Sequence, residues 1–177
     1  EVKFSVVRYG NVIGSRASVV PYFNKLIKNK TKFLPITHPS MTRFWITIDQ
    51  GINLVHKAFV NMIGGEIFVP KIPSMYVTEL AKAMAPNLCQ KNVGVRPGEK
   101  LHEIMCPADD SHLTLEFDDH FVICPTIQLN HVVDFAKNPL GEVGKNVEHG
   151  HEYNSDTNSE WLTQEEFLQM VDDVDPT

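Results

Sequence analysis

Three short runs of residues combine side chains able to hold an anionic ligand. Arg8-Tyr9-Gly10-Asn11-Val12-Ile13-Gly14-Ser15-Arg16 follows an apolar run. That places Asn11 at the carboxyl end of an expected parallel strand, where ligands bind in open α/β sheets. The Asn11 amide offers both a donor and an acceptor. The plain alternative is a strand-to-helix loop that uses Asn for its turn chemistry. In Thr42-Arg43-Phe44-Trp45-Ile46-Thr47 a guanidinium stands beside two aromatic residues. Its fork matches two phosphate oxygens, or it packs on Phe44 or Trp45 as a surface arginine. In Arg96-Pro97-Gly98-Glu99-Lys100 the Pro-Gly pair favours a tight turn that holds Arg96 and Glu99 at one mouth. Arg96 would meet a phosphate oxygen and Glu99 a sugar or ribose hydroxyl; the alternative is a charged surface turn.

Other chemistries lack their residues. The glycine spacing of a dinucleotide fingerprint is missing, since Gly10 and Gly14 stand at the wrong interval. Gly98-Glu99-Lys100 has neither the upstream glycine nor the following Ser or Thr of a phosphate-binding P-loop, and no HExxH or GxSxG occurs. The eight histidines, His38, His56, His102, His112, His120, His131, His149 and His151, show no metal-ligand spacing, so no metal is expected. Asp118-Asp119 reads as a hairpin turn rather than a catalytic carboxylate pair. Cys89, Cys106 and Cys124 are odd in number and form no CxxC pair, which fits reduced thiols in a cytoplasmic protein. A net charge of −6 without a long basic run argues against nucleic acid as a partner. No apolar stretch approaches the ~20 residues of a membrane span, and the first nine residues do not read as a signal peptide.

These runs need elements to position them, and the periodicity supplies an α/β pattern in a chain of 177 residues, enough for one ordinary core. Residues 2–9 read as a strand buried on both faces, as in a parallel sheet. Such a strand at the very start of a chain that does not open with Met suggests a sequence beginning inside a domain. Ser18 is placed to cap a helix with Val19, Val20, Phe23, Leu26 and Ile27 on one side and Pro21 in its first turn. Residues 30–41 read as a loop and Arg43–Ile46 as a short extended piece. Thr47 and Gln50 form a capping-box pattern for a helix with the apolar face Ile48, Ile52, Val55, Phe59 and Met62, ended by Gly64-Gly65. Ile67–Val69 reads as a strand, Thr78–Ala85 as a helix stopped by Pro86, and Val93–Val95 as a short strand. Leu113–Phe117 and His120–Cys124 are expected to pair as a hairpin. Thr163 and Glu166 form a second capping box for a terminal helix.

In order along the chain, RYGNVIGSR, LPIT, MTRFWIT, EIFVPKIPSM, RPGEKLHE, and CPADDSH with EFDDHFVI resemble the inverting UDP-N-acetylglucosamine 4,6-dehydratases of the extended short-chain dehydrogenase/reductase superfamily. The resemblance covers residues 1–125 closely and continues weakly through Glu152-Tyr153-Asn154-Ser155 and Trp161-Leu162-Thr163. It implies the C-terminal portion of a Rossmann-type fold with a small α+β substrate-binding lobe, and residues 126–177 as an extension with a terminal helix. It implies NADP as cofactor, a UDP-sugar as substrate, and a homo-oligomer at full length. It also implies the reaction that opens pseudaminic acid synthesis for surface glycans. The C4 hydroxyl is oxidised by hydride transfer, and the C4 ketone acidifies the C5 proton. Water then leaves across C5 and C6, and the hydride returns to C6 with inversion at C5.

By the same resemblance Tyr9, Gly10 and Val12 would lie against the nicotinamide. Asn11 would hydrogen-bond the substrate near its diphosphate. Ser15, Arg16, Ser18, Val19 and Val20 would line the sugar-nucleotide pocket, and Phe33, Leu34 and Pro35 would border the uracil. Arg43 and Arg96 would grip the diphosphate, with Pro97 and Gly98 shaping the turn and Glu99 on the ribose. Ala17 stands where the family often has Gly. The family's glycine fingerprint and its catalytic Asp, Lys and Tyr have no counterpart in this sequence, so the chain alone is expected to be inactive, with residues 2–9 as an open sheet edge and a partly disordered fold. Two other readings stay open: a bifunctional dehydratase and epimerase of capsule or O-antigen synthesis, and a non-catalytic UDP-sugar-binding module.

Overall fold

The structure is a computed structural model that describes residues 2–16, 18–127 and 133–174; Ala17 and His131 lie outside the described residues. β1 (Val6–Val7) and β2 (Asn11–Val12) divide the first apolar run into two short pieces. α1 (Val19–Lys28) buries Val20 and Phe23, and packs Val19, Leu26 and Ile27 against the same core. β3 (Phe33–Ile36), β4 (Thr42–Ile46) and α2 (Ile48–Asn61) follow. Next come β5 (Ile67–Pro70), β6 (Ser74–Tyr76), α3 (Val77–Met84) and β7 (Cys89–Asn92). β8 (Ile104–Cys106) runs into a 3-10 turn at Ala108–Leu113, and then β9 (Thr114–Glu116) and β10 (His120–Ile123). β11 (Lys145–Asn146), β12 (Tyr153–Asn154) and α4 (Gln164–Val174) complete the described elements.

The chain forms two compact units that interleave along the sequence. The first takes the described residues of 1–9, 49–71 and 104–154. Its sheet has the order β1-β5-β10-β9-β11. β1 and β5 are parallel, as the sequence suggests for a strand feeding a helix crossover, whereas β10, β9 and β11 are antiparallel, which makes the sheet mixed. The expected hairpin is present: Phe121 pairs with Glu116, and the Phe117 amide donates to the His120 carbonyl at 2.8 Å across the Asp118-Asp119 turn. Leu54, Ala58, Phe68, Leu115, Phe117, Val122 and Phe135 form the core.

Two expectations for this unit fail. Residues 2–9 are not a strand buried on both faces: Val2 and Phe4 are each 78% exposed and Val6 is 54% exposed. β1 pairs only with β5 among the described residues, so it is an edge strand. The buried face of α2 is also not the expected one. Gly51, Leu54, Ala58 and Asn61 point inward, while Ile48, Ile52, Val55 and Phe59 are exposed. The helix carries two apolar stripes, and the one with Leu54 and Ala58 packs into the core with Phe68 and Leu115.

The second unit takes the described residues of 10–48, 72–103 and 155–177. β2-β4-β6 form one sheet and β3-β7 another. β2 and β4 are parallel, with Asn11 opposite Trp45 and Val12 opposite Ile46; β6 pairs antiparallel to β4. Gly10 is needed for this packing, because a Cβ there would stand 2.5 Å from Phe44 Cβ. β3 lies in the stretch expected to be a loop. Its Pro35 hides it from propensity reasoning, yet a two-stranded ribbon leaves an edge where a missing N–H does no harm. The strand expected at Val93–Val95 is instead β7, one turn earlier, in register with β3 from Phe33↔Cys89 to Ile36↔Asn92. Trp45, Phe23, Leu34, Leu80, Met75 and Phe167 anchor the core, with Trp45 and Phe167 in edge contact at 5.6 Å.

Candidate functional site

The site is built on β4. Side chains alternate along a strand, so Arg43 and Trp45 share one face while Thr42, Phe44 and Ile46 take the other. β2 lies beside β4 and brings Asn11 alongside Trp45. The amino end of α1 brings Ser18, and the turn 96–99 brings Arg96 and Glu99. Together these residues line a cavity of about 690 Å3, with Pro35, Thr37, Tyr22, Lys25, Met41, Val77 and Val93 on its walls. That volume suits a ligand of nucleotide size. Lys25, Arg43 and Arg96 set three cationic groups against the Glu99 carboxylate, so the cavity favours an anion.

The turn has the expected form. The Glu99 amide donates to the Arg96 carbonyl at 3.0 Å, and Gly98 has φ +80°, a conformation natural to glycine. The Glu99 carboxylate accepts from the Arg96 amide at 3.2 Å and lies 3.9 Å from the Arg43 guanidinium. The Arg96 guanidinium is exposed and has no partner among the described residues, which leaves it available to a ligand.

Arg43 is held differently from a free phosphate clamp. Its Nη1 donates to the carbonyls of Thr42 (2.7 Å) and Leu101 (3.1 Å), and its Nη2 to that of Lys100 (2.9 Å). Nε lies 3.5 Å from Glu103. Burial raises the Glu103 carboxyl above its ordinary pKa, against the pull of Arg43 and Lys100. Arg43 is therefore mainly the anchor of the loop that carries Arg96 and Glu99, and packing on Phe44 or Trp45 is not its principal contact. Thr42 completes the anchor: its buried hydroxyl bonds His102 Nδ1 at 2.8 Å and Ser155 Oγ at 2.7 Å, and Ser155 Oγ accepts from the Glu103 amide at 2.9 Å.

Among the described residues, Asn11 Oδ1, Ser18 Oγ and Trp45 Nε1 are buried with no hydrogen-bond partner, although their residues contribute to the cavity lining. Ser18 occupies the N-cap position of α1 with extended backbone, but its hydroxyl makes no capping bond. This corrects the expectation that it caps the helix.

The structure brings Asn11, Ser18, Val19, Pro35, Arg43, Arg96 and Glu99 together at the cavity. Val20 lines a neighbouring cavity with Lys25 and Lys28. Leu34 is wholly buried in the core, and Phe33 is exposed with Lys91 over its ring at 5.0 Å. Ser15 and Arg16 are exposed in the loop before α1, Gly10 is packed on Phe44, and Tyr9 is 43% exposed. Trp45, Tyr22, Lys25 and Thr37 are cavity residues that motif reasoning missed. Only the alternation of β4 marked Trp45, since it stands two residues from Arg43.

A family model described as polysaccharide biosynthesis protein matches residues 1–125. A UDP-N-acetylglucosamine 4,6-dehydratase (inverting) of Campylobacter jejuni subsp. jejuni serotype O:23/36 (strain 81-176) is 54% identical over 172 residues, covering 97% of this chain and 52% of that protein. A UDP-glucose 4-epimerase of Rickettsia canadensis (strain McKiel) is 40% identical over 127 residues, 70% of this chain and 37% of that protein. The X-ray structure of Pen from Bacillus thuringiensis superposes with a TM-score of 0.78 at 30% identity, covering 97% of this chain and 50% of that one. The chain thus spans about half the length of the Campylobacter relative, at 52%.

Proposed function

The chain belongs to the polysaccharide biosynthesis protein family, and on that premise we propose that it is the nucleotide-sugar-binding part of an inverting UDP-N-acetylglucosamine 4,6-dehydratase. The observation that carries this reading is the convergence of Asn11, Arg96 and Glu99, from two distant stretches of sequence, on one cationic cavity. Arg96 meets the diphosphate by charge-assisted hydrogen bonds. Glu99 accepts from a ribose hydroxyl, and Arg43 holds the loop that presents both. Pro35 borders the base.

NADP, when bound, supplies the hydride acceptor that a 4,6-dehydratase needs. Of this chain's residues Tyr9, Gly10 and Val12 would lie against it. Tyr9 fits, because much of its ring is open. The lack of a side chain at Gly10 is already accounted for by Phe44. On this reading the 177 residues bind the nucleotide sugar without turning it over. Residues 126–177, beyond the family match, form the extension, and the complete protein is a cytoplasmic homo-oligomer.

Calorimetric titration with UDP tests the binding role. Arg96→Ala is expected to weaken UDP by about 10- to 100-fold, the size of one charge-assisted contact, with the fold unchanged by circular dichroism. Equal affinity in the variant removes Arg96 from the site. Incubation of the full-length protein with UDP-N-acetylglucosamine and NADP should give a 4-keto-6-deoxy product by NMR; a product of unchanged C5 configuration would instead favour the bifunctional reading.

A further inference from the structure

We infer that Ser155 is a positioning residue for nucleotide-sugar binding, its hydroxyl fixing the loop that presents Arg96 and Glu99; this rests on the function proposed above. Residues 91–98 are all exposed, so burial of its own side chains does little to hold that loop. Among the described residues, the hydrogen bonds that tie the loop to the rest of its unit stand at its two ends. At one end the Val93 amide donates to the Ile36 carbonyl at 2.8 Å. At the other, Arg43 donates to the carbonyls of Lys100 and Leu101, and the Leu101 carbonyl also accepts from the Thr42 amide at 3.2 Å.

Ser155 secures this second end. Its amide donates to the Glu103 carbonyl and its hydroxyl accepts from the Glu103 amide, both at 2.9 Å, so one residue takes both backbone groups of Glu103. The same hydroxyl lies 2.7 Å from Thr42 Oγ1, whose residue precedes Arg43, and the Glu103 carboxylate lies 3.5 Å from Arg43 Nε. A hydroxyl has one proton and two lone pairs, and both neighbours of this one belong to the arginine anchor. Ser155 and Thr42 are each 0% exposed, so loss of the Ser155 hydroxyl removes a partner at a place closed to bulk water. Residue 155 also lies outside the family match to residues 1–125. The extension that carries it is seated on the same unit. Asn158 Nδ2 donates to the Ile72 carbonyl at 2.9 Å, Trp161 stacks on Tyr76 at 5.0 Å, and Phe167 packs in the core beside Trp45. Ser155 therefore acts on the loop from a fixed base. A loop already held in its binding geometry loses less freedom when the ligand arrives, so loss of the clasp lowers affinity without removing any contact to the ligand.

Calorimetry of the full-length protein with UDP tests this. Ser155→Ala is expected to weaken UDP about 3- to 10-fold, the size of one neutral hydrogen bond. The effect should vanish in a background carrying Arg96→Ala and Glu99→Ala, because a residue acting through that loop then has nothing left to position. Thr163→Ala, which loosens the same extension away from the loop, should leave UDP affinity unchanged. The inference is overturned, and the proposed function stands, if Arg96→Ala weakens UDP while Ser155→Ala does not. It is also overturned if Ser155→Ala weakens UDP equally in both backgrounds, or if Thr163→Ala weakens it as much. If the unsubstituted protein binds no UDP, the proposed function falls, and this inference with it. Hydrogen exchange of the unsubstituted protein decides the matter even where Ser155→Ala fails to fold. Ligand and clasp stabilise each other reciprocally, so saturating UDP should slow exchange at the Ser155 amide and leave the amides of α4 as they were. An unchanged Ser155 amide with UDP bound overturns the inference.

Discussion

Ser18 shows how one residue's chemistry is reassigned by its surroundings. Its type and position suit a helix cap, yet the hydroxyl is buried without a bond to α1, in a residue that lines the cavity. Ser18→Ala is therefore expected to change stability by less than ~0.5 kcal/mol, below the ~1 kcal/mol of a working cap. It should lower ligand affinity, as read by urea denaturation and calorimetry side by side. A stability loss of a full cap would show that the hydroxyl serves the helix. Arg43 is the complementary case. Its guanidinium satisfies three backbone carbonyls, so its worth to binding passes through the loop it anchors.

At the scale of elements, α4 is the helix whose sequence signal and structure agree in detail. The Glu166 carboxylate accepts from the Thr163 amide at 2.8 Å and from its hydroxyl at 3.0 Å, and the Thr163 hydroxyl accepts from the Glu166 amide at 3.2 Å. Those bonds, first the one from the Thr163 backbone, hold the Glu166 carboxyl below its ordinary pKa. Thr163→Ala should cost about 1 kcal/mol of stability, seen as an earlier loss of helical circular dichroism; Thr163→Ser should restore it. An unchanged melting curve for Thr163→Ala would mean that α4 is held by Phe167 in the core instead. α2 is the counterexample: both of its stripes are apolar, and periodicity alone does not choose between them.

At the scale of the molecule, acid is expected to unfold the protein through the β1-β5-β10 sheet. His120 is 1% exposed, with ring neighbours Phe117 at 4.7 Å and Phe68 at 5.9 Å. Burial lowers its pKa, partly offset by the bond to Asp119 at 2.7 Å. Lys57 and Glu142 are the other charged groups acting on it. A histidine held neutral in the folded state takes up its proton more readily when unfolded. Its contribution is thus fully present above the unfolded pKa near 6.5 and is lost as pH falls toward the folded value. Burial would raise the Asp119 carboxyl, but bonds from Lys57 and His120 outweigh it and hold the pKa below normal. That second contribution is lost only at lower pH. The urea midpoint should fall between pH 7.5 and pH 5, and His120→Phe should reduce that fall. An equal fall in the variant would place the sensitivity elsewhere.

Local features were legible in neighbouring residues: the hairpin around Asp118-Asp119, the Thr163–Glu166 capping box and the turn from Arg96 to Glu99. Each is written in a few neighbouring residues whose backbone preferences and hydrogen bonds are short-range. The remaining features follow from contacts between distant segments. They chose which stripe of α2 is buried, admitted Pro35 to an edge strand, assigned the Arg43 donors to loop carbonyls, and left Trp45 Nε1 without a partner opposite Asn11. Those outcomes depend on which groups from distant segments arrive at the same place, and side-chain type says what a group can bond without saying what will be there to meet it.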